Sequence, residues 1–183
     1  MFMNATRLTR CRGSTLIEIL VTIVILMVGL LGLAKLQGVA TAAQTEAYQR
    51  SQAVVLLKDM ADRINANRAN ALDYVTASPL GTGNGVQDCS ALTGQALDSC
   101  EWNNALLGTT EVSGGTEVGA MIGARGCIYN TDASEPREFM IAVAWQGLYP
   151  TSTPTSVACG LNSYGGQALR RVVTMTITIA KLN

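Results

Sequence analysis

The sequence has no histidine among its 183 residues. That absence removes Ser-His-Asp triads, Cys-His pairs, HExxH zinc sites and imidazole proton shuttles. The patterns GxxxxGK[ST], GxGxxG and GxSxG are missing as well. Gly81, Gly83 and Gly85 in GTGNG read as a turn rather than a phosphate cradle. Charged residues make up only 14% and aromatics 5%, which suits a modest core with long loops better than a large enzyme core. Carboxylates are present, but no spacing singles out a catalytic pair. The expectation is a protein that is not an enzyme and uses no cofactor or metal. Formal net charge is zero, yet residues 1–13 carry three Arg and no acid, leaving ten basic against thirteen acidic residues beyond them. A body of net charge −3 lacks the basic footprint of a nucleic-acid binder.

What the chain does have is a long apolar run. From Ser14 to Ala34 the only charge is Glu18, and a helix of that length covers about 30 Å, enough for a bilayer core. A secretory signal peptide has a shorter apolar stretch with a small-x-small cut after it, whereas this run passes through Lys35 and Gln37 into more helical sequence. A lipoprotein leader wants small residues before its Cys, and Cys11 follows Thr9 and Arg10. An ordinary single-span anchor fits the length and the arginines, which place residues 1–13 in the cytoplasm and the remainder outside it. It does not account for Glu18, because a carboxylate within a membrane helix costs a few kcal/mol on insertion scales and usually has a partner. Glu18 lies one turn beyond Ser14. A cut after Gly13 would give Ser14 a cationic amine able to pair with such a carboxylate on a neighbouring helix, where low dielectric strengthens the attraction.

The basic leader ending in Arg12-Gly13, followed by STLIEILVTIVILMVGLLGLAKLQ and later RSQAVVLLKDMADRINANRANA, resembles the type IV pilin superfamily. Within it, the chain looks like the minor pilins called type IV pilus modification protein, or PilV. The likeness is close over residues 7–72 and looser beyond. It implies an α+β pilin fold, in which a long N-terminal helix packs on a small antiparallel sheet. Residues 1–13 would be the leader, 14–38 the transmembrane and filament-core half of the helix, 39–75 its amphipathic half, and 76–183 a periplasmic head. By the same resemblance, prepilin peptidase cuts between Gly13 and Ser14 and N-methylates Ser14, a position where the family usually carries Phe. Glu18 then pairs with a neighbouring N-terminus during assembly. The implied partners are that enzyme, other minor pilins, the major pilin and a tip adhesin. The implied setting is the bacterial inner membrane as a single span, then the surface pilus, with a role in starting pilus assembly. A pseudopilin of a type II secretion system shares the leader and helix and stands as the alternative.

Further along, Val54, Leu57, Met60, Ala61 and Ile64 recur at three- and four-residue steps and predict one buried helix face. Asp59 and Arg63, four apart, are set to pair on another face. The helix is expected from about Ser14 to Leu72, with Gly29, Gly32 and Gly38 inside it; Gly29 and Gly32 serve close helix packing or local unwinding in a filament, or are there simply because Gly is common in membrane helices. Residues 76–120 read as surface loops with a short helix near Ala91–Leu97. Strands are expected at Ala124–Tyr129, Glu138–Trp145 and Val173–Ile179, the second apolar on both faces and the third on one. Trp145 continues a strand alternation and belongs in the core, while Trp102 and Tyr149 fall in loop-like sequence. Cys89, Cys100, Cys127 and Cys159 allow three pairings. The expected bridges are Cys89–Cys100 and Cys127–Cys159, with free thiols and a zinc site lacking both CxxC and His as the competing readings.

Overall fold

The computed structural model describes residues 15–109, 112–113, 116–117 and 121–180, without the side chains of residues 112, 113, 116 and 117. Residues 1–14, which include Cys11, Gly13 and Ser14, lie outside this set. The chain divides into two compact units, Met1–Ala43 and Gln44–Asn183.

The first unit holds the start of helix α1 (Leu16–Ala66). Leucine, isoleucine and valine dominate it and no proline interrupts it, so every interior N–H finds its i−4 carbonyl. Helical backbone continues through Gly29, Gly32 and Gly38, where an added Cβ would meet nothing within 4 Å. These glycines therefore leave the helix intact and its surface flat at three points. Thr22 and Thr41 turn their hydroxyls back onto the carbonyls of Ile19 and Gln37, at 2.8 and 3.0 Å.

In the second unit α1 becomes one-sided. Gln49, Ala53, Leu57, Met60, Ala61 and Ile64 are buried, at the steps that stack side chains on one helix face. Val54 is 43% exposed, contrary to the sequence expectation. One residue past Ala53 lies about 100° further round the helix, so only one of the two can face the core. Leu57→Ala is expected to lower unfolding free energy by about 2–5 kcal/mol, and Val54→Ala by about 0.5 kcal/mol or less. Urea titration of the full chain in detergent micelles measures both; equal losses would mean the buried face is misassigned.

The α-helix also ends sooner than expected, at Ala66, and a 3-10 helix takes over at Arg68–Tyr74. Asparagines explain the change, because their side chains compete with helical bonding. Asn70 leaves helical geometry at φ −112°. Its amide N–H reaches the Asn67 carbonyl at 3.0 Å, and its Nδ2 donates to Asn67 Oδ1 at 2.8 Å.

Next come β1 (Leu80–Gly81), α2 (Gly94–Leu107), β2 (Val112–Ser113), β3 (Thr116–Glu117), β4 (Arg125–Asp132), β5 (Arg137–Gln146) and β6 (Arg170–Ile179). β2 and β3 pair as a separate hairpin, and the main sheet runs antiparallel in the order β1-β4-β5-β6. This is the α+β arrangement expected, with the three predicted strands present and longer. The expected short helix at 91–97 is replaced by the 14-residue α2, which stops where Gly108 adopts φ 78° and closes the last turn. Trp102 lies within α2 and is fully buried, not in a loop.

Strand alternation sets the two faces of the sheet. Ile128, Phe139, Ile141, Val143 and Trp145 join the core formed with α1 and α2. Val173, Met175 and Ile177 of β6 pack at its margin. On the other face Cys127, Ala142 and Ala144 meet Val157, Cys159 and Tyr164, which belong to the connection between β5 and β6. Both faces of β5 are thus covered, as its two-sided apolar sequence requires.

Candidate functional site

Glu18 sits in the first turn of α1. Thr15, just before the helix, takes the N-terminal capping position. Its carbonyl accepts from the N–H groups of Glu18 and Ile19 at 3.0 and 3.2 Å, and its hydroxyl accepts from the Glu18 N–H at 3.4 Å. Thr15-x-x-Glu18 therefore carries the spacing of a capping box, and a negative side chain in the first turn also suits the helix dipole. The sequence expectation for Glu18 is an assembly role alone; the Thr15-x-x-Glu18 spacing adds this local one. Gly13 and Ser14, the proposed cut and methylation positions, lie outside the described residues.

Around Glu18 the helix surface is apolar on all sides. Every Leu, Ile, Val and Met from Leu16 to Val39 is exposed. α1 contains a stretch long and apolar enough to cross a membrane, none of it buried within the molecule. Each such side chain gains about 1.5–3 kcal/mol on leaving water, so this surface requires lipid or other helices around it.

Several polar groups of the second unit are tied to structure. Arg63 donates to Asp59 at 3.1 Å, to Asp98 at 3.0 Å and to Glu101 at 2.6 Å. The expected Asp59–Arg63 pair is therefore part of a cluster joining α1 to α2. Burial opposes the charge of Arg63, but the three carboxylates outweigh it and raise its pKa. Tyr74 donates to Asp98, and burial followed by that bond pushes its phenol up. Asn103 is buried in α2; its Oδ1 accepts from Gly81 N at 2.8 Å and its Nδ2 donates to the Gly85 carbonyl at 2.9 Å. The GTGNG turn is thus held against α2. Arg170, 1% exposed, donates to the carbonyls of Pro154, Val157 and Cys159 at 2.6, 2.6 and 2.9 Å and to Gln167 Oε1 at 2.8 Å. Nothing in the sequence marked it as buried.

All four cysteines of this unit are oxidised, as Cys89–Cys100 and Cys127–Cys159. That is the expected pairing, and it leaves none of them as a thiolate for zinc. The first bridge anchors residue 89 to α2, and the second anchors β4 to the segment covering the far sheet face. Bridges of this kind typically contribute 2–4 kcal/mol each. Trp102, Trp145 and Tyr164 are buried, and Tyr149 is 60% exposed.

Residues 8–34 match the family described as prokaryotic N-terminal methylation motif, and residues 35–100 match the family described as type IV pilin Tt1218. No curated protein and no solved structure matches the chain.

Proposed function

Because the chain belongs to the type IV pilin superfamily and carries a prepilin methylation motif, we propose that it is a minor pilin that helps to start pilus assembly. The superfamily is structural rather than enzymatic, and its methylation motif implies processing by prepilin peptidase and assembly into pili. In this reading residues 1–13 are removed at Gly13, Ser14 becomes the methylated terminus, and 14–38 enter the membrane and then the filament core. Residues 39–75 form the amphipathic half of the helix, and the 76–183 head stands in the periplasm before export to the cell surface. In the same reading the chain is a minor pilin of the PilV kind, and its companions are other minor pilins, the major pilin and a tip adhesin. The observation that carries the reading is Glu18, the single charge between Ser14 and Ala34 in a helix surface otherwise suited only to lipid or like helices.

The capping box gives Glu18 two possible duties, and two substitutions separate them. Glu18→Gln keeps a side chain able to complete the box, while Glu18→Ala removes both box and charge. Cleavage, read from intact mass with and without the peptidase, is expected in both variants. Surface pili are expected to fall at least about tenfold in both, the change that follows from losing about 1.4 kcal/mol of pairing. Normal piliation in Glu18→Gln would reduce the residue to a cap. Deletion that leaves pili intact and stops protein secretion would instead make the chain a pseudopilin.

A further inference from the structure

β6 forms one side of the main sheet, whose order is β1-β4-β5-β6, and register decides which of its groups line the outer edge. Pairs between β5 and β6 run without a break from Arg137↔Ile179 to Gln146↔Arg170. In the same register Gly147 N–H donates to the Leu169 carbonyl at 2.8 Å. Opposed residues of an antiparallel pair alternate between exchanging both ladder bonds and exchanging none. Arg171, Val173, Met175 and Ile177 therefore spend their backbone groups on β5. Val172, Thr174, Thr176 and Thr178 turn theirs outward, where no further backbone bond reaches them among the described residues. The three threonines are exposed. Sheet edges are commonly blunted by proline, lysine or a bulge. From Val172 to Ile179 there is no proline and no charge, and the register with β5 is unbroken. This edge is open to another strand.

The letters of β6 say which strand fits. Val173-Thr174-Met175-Thr176-Ile177 reads almost the same in both directions about Met175. The four outward residues are also symmetric about that point. We propose that β6 pairs antiparallel with β6 of a second copy of this chain, about a two-fold axis at Met175. Thr174 then stands opposite Thr176, Val172 opposite Thr178, Val173 opposite Ile177, and Met175 opposite itself. Centred there, every outward N–H and C=O of one copy meets a partner in the other, whereas a slide along the strand leaves some unmatched. Threonine pairs and pairs of β-branched residues are favourable cross-strand neighbours. On the opposite face Val173, Met175 and Ile177 already pack at the margin of the core, and the second copy continues that margin. The contact is isologous, with its axis perpendicular to the sheet. Residues Ala53 to Ile64 of α1 share the core on one sheet face, so the rotation sets these helix segments running in opposite directions. Subunits of one filament are related by turning about its axis and moving along it, which keeps such segments pointing the same way. On the pilin reading given above, the contact therefore joins two filaments rather than neighbours within one.

The test starts from the full chain in detergent micelles with Cys11→Ser and Met175→Cys. Opposed residues that exchange no ladder bonds lie about 4.5 Å apart, within disulfide reach, so mild oxidation is expected to give a dimer linked between the two 175 positions. Val172→Cys in place of Met175→Cys is expected to give none, because its counterpart lies about 20 Å along the strand. Adding Thr176→Pro removes an outward N–H and no bond to β5, and dimer yield is expected to fall at least about tenfold with the loss of ladder donors. Thr174→Lys with Thr176→Lys, which leaves the backbone untouched and opposes like charges, is expected to do the same. Equal cross-linking at 172 and 175, or a yield indifferent to these changes, overturns the proposal. So does a monomer whose outward amides are protected from hydrogen exchange only when a peptide of alternating Thr and Val is added; the edge would then belong to a different chain. Pili sheared from two strains with differently tagged Met175→Cys chains are expected to form mixed-tag dimers when combined, and same-tag dimers alone would overturn the bridging of filaments. A chain that is neither cleaved nor found in pili sinks the pilin reading, while the micelle cross-link still decides the pairing.

Discussion

Trp102→Ala is expected to lower the unfolding free energy by about 3–5 kcal/mol, and Gly126→Ala by about 1–3 kcal/mol, for reasons that are two sides of one contact. The Trp102 ring is wholly buried, and its indole N–H reaches from α2 to the Leu56 carbonyl of α1 at 3.0 Å. Its edge lies flat on β4, where a Cβ on Gly126 would stand 2.3 Å from Cη2, 2.4 Å from Cζ3 and 2.7 Å from Leu106 Cδ1. Gly126 is thus required for space and not for backbone freedom. Smaller residues at 102 should rescue the alanine. In a Trp102→Leu background, Gly126→Ala is expected to cost about 1–3 kcal/mol less than in the parent, a coupling of the size found for residues in contact. Denaturant titration of the four chains in micelles, followed by far-ultraviolet circular dichroism, measures it. Additive losses would mean that the ring does not fill the space above β4.

Arg170→Met is expected to cost about 3–5 kcal/mol, the sum of several buried acceptors left without a donor. Its guanidinium holds the carbonyls of Pro154, Val157 and Cys159, and Met matches its volume but offers none of its donors. Each carbonyl left buried without a donor costs about 1–3 kcal/mol. Arg170→Lys should recover little, because an ammonium cannot present the planar fork that reaches several acceptors at once. A local signature goes with the global one. The freed segment carries Cys159, so Cys127–Cys159 is expected to be reduced by dithiothreitol faster than in the parent, with Cys89–Cys100 unchanged. Equal acceleration at both bridges would point to general loosening instead.

These two sites also show where sequence reading stopped. The apolar half of α1, the alternation in β5 and β6 and the four cysteines carry their structural roles in local pattern, and all were legible. α2 was not. GQALDSCEWNNALL buries Asn103 and Cys100 beside Trp102 and Leu106, so its inward face is not marked by apolar spacing. Asn103 is inside because the loop at Gly81–Gly85 supplies partners from 18 to 22 residues away, a fact that no window of sequence contains. Arg170 was hidden for the same reason: its partners are backbone carbonyls, which every residue has. On α1, periodicity placed the buried face correctly but could not choose between Ala53 and Val54, and the more apolar residue was the wrong one. In the candidate site, Glu18 stood out by its charge, while its capping partner Thr15 did not.

The all-round apolar surface from Leu16 to Ala34 bears on direction as well as on anchoring. Moving such a helix from a bilayer into a bundle of similar helices exchanges one hydrocarbon environment for another, and lipid chains are as apolar as leucine. The hydrophobic effect, which dominates most associations, nearly cancels in that transfer. In the proposed filament, adding a subunit and returning it to the membrane then lie close to balance, and a contribution as small as the proposed pairing at Glu18 is enough to tip the step either way.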